Sequence, residues 1–261
     1  MNLVLFEPAE LDEPLPAADP RAQHVIKVLR RAPGDTFVAG MVDGPLGTAT
    51  LRGIDPVTGA LALAFAPTRE PPPLPPITLI VGLPRPQTAR DLLRDATTLG
   101  VLCIHFVTTE RSDPNYASAS LWTSGEWRRH VLAGAAQACD TRLPAITWHH
   151  RLPELCHQFG DKASSFPVAR PQLLALDNYE ATASLASALS TSCHQFGDKL
   201  SQAPVPQARD LVLAFGPERG WGPADRAALR AAGFTLCSLG ERVLRLETAV
   251  VAALALAGIE S

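Results

Sequence analysis

Short apolar runs separated by polar breaks dominate the first part of the chain. Between residues 37 and 65 they are "FVAGMVDG", "TATLRGID" and "ALALAF", with Gly, Asp and Pro between them. This spacing is typical of short antiparallel strands in a small β-barrel. The run "PPPLPP" at 71–76 favours extended polyproline geometry and is incompatible with a helix interior or a central strand. We therefore predict a domain boundary there, with a small barrel over 1–72 and a second domain over 73–261.

A different pattern follows the proline run, because continuous apolar runs now alternate with segments of helical periodicity. The runs typical of buried strands occupy 77–83, 101–107, 172–177, 211–216 and 234–240, and the helical patterns occupy 88–99, 126–139 and 223–233. In the first of these helices Leu92, Leu93, Ala96 and Leu99 share one face, and Gly100 ends it. Such alternation predicts an α/β domain with a mainly parallel sheet that helices cover on both faces.

Composition and charge restrict the cellular environment that we expect for the protein and the partners that it can bind. The 261 residues carry a formal charge of −3, so the chain as a whole does not attract nucleic acid, and a polyanion would have to meet a local basic patch. Five widely spaced cysteines, an odd number, favour a reducing environment over a disulfide framework. The first ten residues lack a basic segment, and the longest apolar stretch, 249–259, is too short to cross a bilayer. We expect a cytoplasmic protein without a membrane partner.

The heptapeptide "CHQFGDK" occurs twice without change, at 156–162 and 193–199. A Cys-His pair in each copy suggests zinc, since thiolate and imidazole are the usual ligands of structural sites. However, adjacent Cys and His lack the ligand spacing that lets both side chains converge on one ion. The identity also includes Phe, Gly and Lys, which no metal requires. We predict no metal site and interpret the two copies as a duplicated stretch tolerated in surface loops.

The chain lacks the glycine-rich fingerprints of dinucleotide and P-loop domains, as well as the G-x-S-x-G and H-E-x-x-H motifs. Instead, three abrupt chain reversals follow predicted strands. They are "LALDN" at 174–178, "GPERGW" at 216–221 and "LGERVLRLETA" at 239–249. These three segments are therefore the candidates for the functional site.

Two of these segments resemble the C-terminal motifs of the RsmE family, which methylates N3 of a uridine in 16S ribosomal RNA with S-adenosylmethionine. "GPERGW" is similar to G-P-E-G-G-[FW], and 239–249 is similar to L-G-x-R-[IV]-L-R-x-E-T-A. Upstream, "RAQHVIKVLRRAPGD" at 21–35, "DLLRDATTLGV" at 91–101 and "TERS" at 109–112 resemble further segments of the family. The chain departs from the family pattern at Arg219, where a glycine is usual, at Thr98 and Ala136, which replace acids, and at Asp140, which replaces an arginine.

The resemblance implies an N-terminal PUA-like β-barrel for RNA and a C-terminal SPOUT domain with a trefoil knot, acting as a homodimer on the small ribosomal subunit. It also implies that S-adenosyl-L-methionine is bound by the three reversals. Independently, Gly216, Gly220 and Gly240 allow backbone to approach a ligand closely, and leucines in these segments can flank an adenine ring. The expected cofactor-binding residues are Leu176, Gly216, Pro217, Glu218, Gly220, Leu239, Gly240, Val243, Leu244 and Thr248.

The expected reaction requires a positive charge and a proton acceptor, because uridine N3 becomes nucleophilic only when its proton leaves. Arg242 and Arg245 are the candidates to stabilise the resulting imide anion, and Glu247 is the candidate base. The alternative for Arg242 is a surface ion pair. The alternative for Glu247 is an acid favoured in the first turn of a helix by the helix dipole.

A basic run near the N-terminus is the candidate RNA contact. It comprises Arg21, His24, Lys27, Arg30 and Arg31 and contains no acid. Phosphate binding is one interpretation, and a solvated helical face is the other. Three hypotheses for the whole chain stay open at this point: a 16S uridine-N3 methyltransferase, a SPOUT methyltransferase for another RNA, or an inactive RNA-binding or ribosome-assembly factor. The departures at Arg219, Ala136 and Asp140 motivate the third.

Overall fold

The computed structural model describes residues 3–10, 13–161, 171–191 and 210–258 of the protein. The chain divides into two compact units. The first comprises Met1–Pro73 and Leu132–Leu143, and the second comprises Leu74–Val131 and Pro144–Ser261. A stretch from the middle of the sequence thus belongs to the N-terminal unit.

The first unit contains a four-stranded sheet. Its strands are β1 (Val4–Phe6), β2 (Thr36–Met41), β3 (Leu46–Ile54) and β4 (Leu61–Arg69), in the order β1-β2-β3-β4. The pairs β2–β3 and β3–β4 are antiparallel, as predicted for 37–65, whereas β1 pairs with β2 in parallel. A three-residue strand has no measurable periodicity, so the sequence pattern did not indicate β1.

A short helix and a buried apolar cluster complete this unit. Helix α1 (Pro20–Gln23) continues as a π-helical turn over His24–Val28, and Asp19 caps it by accepting a hydrogen bond from the backbone N–H of Arg21. The cluster combines side chains of the helical turn and of all four strands. Its most deeply buried members include Phe6, Ala22, Val25, Ala39, Ala49, Leu51 and Leu61.

The segment around 136–144 has a structural role in this unit. Buried Thr141 donates a hydrogen bond from Oγ1 to the carbonyl oxygen of Gly44 at 2.6 Å. Asp140 accepts hydrogen bonds from the backbone N–H groups of Thr141 and Arg142, and Nε of Arg142 donates to the carbonyl oxygen of Pro72 at 2.9 Å. An aspartate where the family pattern has arginine therefore stabilises a local turn.

The second unit is built on a seven-stranded parallel sheet. Its strands are β5 (Ile77–Gly82), β6 (Cys103–Val107), β7 (Ala145–His149), β8 (Gln172–Leu176), β9 (Ala183–Ser184), β10 (Leu211–Phe215) and β11 (Thr235–Ser238), in the order β7-β6-β5-β10-β8-β11-β9. Every pairing is parallel. The predicted α/β class with a parallel sheet is confirmed.

Helices accompany the strands. They are α2 (Pro86–Leu99), α3 (Ser120–Thr123), α4 (Trp127–Ala138), α5 (Leu152–Asp161), α6 (Leu185–Thr191), α7 (Pro223–Ala231) and α8 (Leu246–Gly258). Residues 132–138 of α4 belong to the first unit. Helices α5 and α7 contact each other, as do α2 and α8. One apolar cluster joins Ile80 and Val212 of the sheet to Leu155 of α5 and Leu229 of α7. The strand residues of opposite orientation, Leu79, Val81, Leu213 and Phe215, are also buried, so both faces of the sheet are covered.

The prediction that both heptapeptides lie in surface loops is wrong for the first copy. Its residues 156–161 belong to α5, and the Cys156 side chain is 1% exposed within the apolar cluster. Burial raises the pKa of this thiol to about 12, so it stays protonated and suits packing better than metal binding. The second copy lies outside the described residues. Within the described residues no group of three or more His, Cys, Asp or Glu side chains could hold a metal.

The length and hydropathy of a helix decide whether it can span a membrane. Among the helices of the described part of the chain, none is both long and apolar enough to span a bilayer.

Candidate active site

A cavity of about 810 Å³ lies at the carboxyl ends of the central strands of the second unit. Parallel strands bring the loops that follow them to the same edge of the sheet, which is where ligands bind in open α/β folds. Here the loops after β8, β10 and β11 and the first turns of α2 form the walls. The lining residues include Leu176–Tyr179, Phe215–Trp221, Leu239, Val243–Glu247 and Ala249, with Arg85, Gln87, Thr88 and Asp91 from the α2 side.

The cavity brings together most of the residues predicted from the sequence. Those that line it are Leu176, Gly216, Pro217, Glu218, Gly220, Leu239, Val243, Leu244, Arg245 and Glu247. Gly240, Arg242 and Thr248 are exposed and do not line it. Arg245 and Arg242 are therefore not equivalent, although only two residues separate them.

Two glycines shape the loop after β10 for different reasons. A Cβ on Gly216 would lie 2.9 Å from the carbonyl carbon of Gly220, so a side chain there would prevent the loop from closing on itself. Gly220 has φ +68°, and the nearest atom to its hypothetical Cβ is Cε2 of Tyr179, at 3.9 Å. The first glycine is required for space and the second for backbone conformation.

Arg219 occupies the position of a family glycine without backbone strain. Among the described non-glycine residues only Arg30, Asp43 and Cys139 have positive φ, so Arg219 does not need the left-handed conformation that Gly220 adopts. Its side chain is exposed and lines the cavity. The departure from the family pattern adds a cation to the site and leaves the shape of the loop intact.

The turn after β8 is held by a buried carboxylate. Oδ1 of Asp177 accepts hydrogen bonds from the backbone N–H groups of Tyr179 and Glu180, and Oδ2 accepts one from Nε of Arg226 in α7. Burial alone would favour the neutral acid, but these hydrogen bonds outweigh it and hold the pKa of Asp177 below its usual value. Indole Nε1 of buried Trp221 also donates to the carbonyl oxygen of Leu176 at 2.9 Å, which ties the first two loops together.

The loop at 109–112 forms hydrogen bonds with the glycine-rich loop, residues 216–221, and with the start of α7. Oε2 of Glu110 accepts a hydrogen bond from the backbone N–H of Ala224 at 3.0 Å, and Nη1 of Arg111 donates to the carbonyl oxygen of Arg219 at 3.0 Å. A Cβ on Gly222 would lie 2.8 Å from Cβ of Glu110, so a side chain at this position would displace the loop at 109–112. The sequence resemblance at "TERS" thus corresponds to residues that position the loop at 216–221 and the start of α7.

A second acid completes this support. The carboxylate of Asp225 accepts hydrogen bonds from the backbone N–H groups of Gly222 and Glu110. Burial is the main reason that the pKa of Asp225 is raised, despite these hydrogen bonds. Asp225 also lies in the first turn of α7, where its charge is favoured by the helix dipole.

The sequence motifs did not indicate that the start of α2 forms one wall of the cavity. Arg85, Gln87, Thr88 and Asp91 line the cavity, and the backbone N–H of Arg85 donates to Oε1 of Glu218 at 3.0 Å. Of the segment that resembles the family, 91–101, only Asp91 lines the cavity. The rule that ligands bind at the carboxyl ends of parallel strands could have identified this wall, because α2 directly follows β5.

The cavity suits a nucleoside-bearing ligand. Its volume is within the range of small-molecule sites, and Leu176, Leu239 and Leu244 provide partly buried apolar surface suited to an adenine ring. Backbone at Gly216 and Gly220 can approach such a ligand without side chains. Charged side chains of both signs line the cavity. The cations are Arg85, Arg219 and Arg245, and the acids are Asp91, Glu218 and Glu247.

The basic residues predicted to bind RNA lie in the first unit and differ in their availability. The guanidinium of Arg21 donates to Glu10 at 2.6 and 2.8 Å and to Asp19 at 2.7 and 3.0 Å, so its charge is already paired. His24 is partly buried, and its Nε2 has no hydrogen-bond partner within the described residues. Lys27, Arg30 and Arg31 are exposed.

Comparisons with known proteins agree with this geometry. Residues 70–258 match the family model described as an RNA methyltransferase domain. The chain is 32% identical over 262 residues to ribosomal RNA small subunit methyltransferase E of Treponema pallidum, covering 98% of this chain and 90% of the relative. It is 30% identical over 229 residues to the protein of the same name from Synechocystis, covering 88% and 67%.

Solved structures share the fold. A ribosomal RNA small subunit methyltransferase E from Neisseria gonorrhoeae, bound to S-adenosyl methionine, superposes with a TM-score of 0.64 at 23% identity, covering 97% of this chain and 95% of the other. A methyltransferase from Legionella pneumophila in complex with the same cofactor has a TM-score of 0.69 at 20% identity, covering 100% and 98%. From the matched domain and the identity to full-length relatives, the chain belongs to the RNA methyltransferase family of ribosomal RNA small subunit methyltransferase E.

Proposed function

We propose that this protein methylates N3 of a uridine in 16S ribosomal RNA, with S-adenosyl-L-methionine as the methyl donor. The observation that carries the proposal is the convergence of three loops, after β8, β10 and β11, on one cavity that also contains Arg245 and Glu247. Membership of a ribosomal RNA methyltransferase family supports the class of reaction.

The residues present fit the cofactor. The leucine side chains Leu176, Leu239 and Leu244 would flank the adenine, and the main chain at Gly216–Gly220 would contact the cofactor closely without side-chain bulk. When bound, the cofactor supplies an electrophilic methyl group. Val243 belongs to the same wall, whereas Gly240 and Thr248 contribute through the course of the loop and the start of α8.

Protein groups must make the uracil ring nucleophilic. As the N3 proton leaves, negative charge spreads onto O2 and O4, and the guanidinium of Arg245 stabilises it at the cavity rim. The carboxylate of Glu247, two residues further along the chain and lining the same cavity, accepts the proton directly or through water. Alignment of N3 with the methyl group by the cavity walls supplies the remaining part of the rate enhancement.

The predicted N-terminal domain, residues 1–72, serves in this proposal as an RNA-binding domain of PUA-like type. Exposed Lys27, Arg30 and Arg31 contact phosphates, while Arg21, neutralised by Glu10 and Asp19, holds the short helix in place. In support of these separate roles for Arg21 and the exposed cations, the π-helical turn His24–Val28 leaves Lys27 exposed to solvent. Phosphate contacts of this kind weaken as the salt concentration rises.

The predicted second domain, residues 73–261, serves as a SPOUT domain with a C-terminal trefoil knot and acts as a homodimer in the cytoplasm. Supporting the knot, β8 lies between β10 and β11 in the sheet, so the connection between these two strands has to pass the strand that separates them. The loops that would be threaded are the same ones that line the cavity.

The test is methyl transfer from S-adenosylmethionine to small ribosomal subunits from a strain that lacks the gene. We expect one N3-methyluridine per 16S RNA, identified by mass spectrometry of nuclease fragments. Binding of the cofactor without transfer to any ribosomal RNA would refute the proposal in favour of an inactive RNA-binding factor. Methylation of a different RNA would refute the assignment of the substrate alone.

A further inference from the structure

Tyr179 is an exposed aromatic residue at the rim of the cavity. Its side chain lines the cavity, yet the residue is 74% exposed. Tyrosine usually buries much of its ring, so a large exposed ring beside a ligand cavity is a candidate contact for a ligand.

The backbone of this residue is held in place. The N–H of Tyr179 donates to Oδ1 of Asp177 at 2.7 Å, and the carboxylate of Glu180 pairs with Arg226 and Arg230. The turn is therefore tied to α7 on both sides of the tyrosine. A ring mounted on a rigid turn loses little conformational entropy when it binds a ligand.

One face of the ring is already supported by a cation. The guanidinium carbon of Arg226 lies 5.4 Å from the ring centroid of Tyr179, within the range of cation–π contacts. Arg226 itself is buried and paired with Asp177. Because the exposed fraction of Tyr179 remains high, the support from Arg226 leaves most of the ring accessible from the solvent side.

The ring also adjoins the cofactor loop. Cε2 of Tyr179 lies 3.9 Å from the position that a Cβ of Gly220 would occupy. The partly buried leucines Leu176, Leu239 and Leu244 line the cavity, where they would enclose an adenine. Tyr179 is at the mouth, where a second planar group would enter.

We propose that Tyr179 stacks on a nucleobase of the substrate RNA at the mouth of the cavity and so positions it beside the cofactor. This inference rests on the proposed function. Proteins bind unpaired bases by stacking them on aromatic rings, and removal of one such ring weakens binding by about tenfold or more. The supported ring satisfies the requirement for a planar, accessible platform next to the reacting site.

The test compares three substitutions, Tyr179→Ala, Tyr179→Leu and Tyr179→Phe. We expect the KM for unmethylated small ribosomal subunits to rise about tenfold in the Ala and Leu variants and to stay near the wild-type value in the Phe variant, because only Phe keeps a planar ring. The Kd for S-adenosylmethionine, measured by calorimetry, should be unchanged in all three. Leu102→Ala is the matched control, since Leu102 is an exposed apolar residue before β6, at the opposite end of the strands.

Other outcomes would overturn the inference. An unchanged KM in Tyr179→Ala would remove the ring from RNA binding. A weaker Kd for S-adenosylmethionine with a normal KM for subunits would assign the ring to the adenine instead. If the wild-type protein does not methylate subunits at all, the proposed function fails, and the variants are then compared in direct binding to the same subunits, where an unchanged Kd would overturn the stacking role separately.

Discussion

Nε of Arg226 donates a 2.6 Å hydrogen bond to Oδ2 of Asp177, and the two side chains are only 6% and 1% exposed. This pair joins the turn after β8 to α7, which begins directly after the glycine-rich loop. Two walls of the cavity therefore depend on one buried ion pair. Removal of one partner leaves an uncompensated charge in a region that water does not reach.

Arg226→Ala should lower the free energy of unfolding by about 3–5 kcal/mol, the usual loss when one partner of a buried pair is removed. Arg230→Ala is the control, because Arg230 is 47% exposed and pairs only at the surface with Glu180, so about 0–1 kcal/mol is expected. Urea denaturation followed by circular dichroism measures both. Equal losses in the two variants would show that the buried pair contributes no more than a surface contact.

Gly220→Ala should weaken the binding of S-adenosylmethionine about tenfold, because alanine is strained at φ +68° and the loop has to change its path beside the ligand. Gly233→Ala is a matched substitution, with φ +90° and no atom within 4 Å of the new Cβ, after α7 and away from the cavity. Both variants should lose about 1–2 kcal/mol of stability through backbone strain. Calorimetric titration at a temperature where both are folded separates the effects, and a normal Kd for Gly220→Ala would contradict the site.

Arg245→Ala should reduce kcat by about 10²–10³, the usual loss when one donor that stabilises a developing anion is removed. The Kd for S-adenosylmethionine should change little. Arg242→Ala should retain most of its turnover, because Arg242 is exposed and does not line the cavity. Single-turnover methylation of small subunits distinguishes the two, and a reversed order of effects would assign the anion contact to Arg242.

Arg21 should make the first unit more stable above about pH 4.5 than in acid. Hydrogen bonds from its guanidinium are the main reason that the pKa values of Glu10 and Asp19 are lowered from 4.5 and 3.8. A carboxylate with a lowered pKa in the folded state stabilises fully above its unfolded pKa and loses that contribution as the pH falls through its folded pKa. The unfolding free energy of the wild type should therefore decrease as the pH falls below about 5 and through the lowered pKa values of the two carboxyl groups.

The same measurement on Arg21→Ala provides the comparison. Without the guanidinium the two carboxylates lose their partner, so the variant should be less stable at neutral pH and its stability should depend less on acid. Parallel curves for the two proteins would show that the ion pairs do not contribute to the pH dependence.

Sequence patterns were most informative where one physical cause dominates. The run at 211–216 is apolar at every strand position because β10 is buried on both faces between β5 and β8. The strand at Ala145–His149 was not indicated, because β7 is an edge strand with a mixture of exposed and partly buried residues. The first heptapeptide belongs to a helix and not to the predicted loop, because Leu152, Leu155 and Cys156 lie at helical spacing and are buried on one face.

The residues of the cavity likewise divide into those that local motifs predict and those that only the folded chain brings together. The loops at 216–221 and 239–249 were identified from local motifs, since glycine and proline restrict the backbone residue by residue. Arg85 and Tyr179 were not, because they belong to segments with no motif and meet the other loops only through the order of the strands. For the two arginines of one motif, the sequence offers a surface ion pair as the alternative for Arg242 alone, and the course of the chain into α8 places only Arg245 at the cavity.

The amino-acid sequence by itself determined the α/β class, the loops that carry glycine and the family to which the chain belongs, because these follow from local periodicity and from residue types at fixed spacings. Only the tertiary structure decided which side chains share the cavity, that Arg21 is neutralised by Glu10 and Asp19, and that Tyr179 is supported by Arg226 at the rim. These relationships join residues that are distant in the chain, and their energies depend on burial and distance, which arise only when the strands are placed in order.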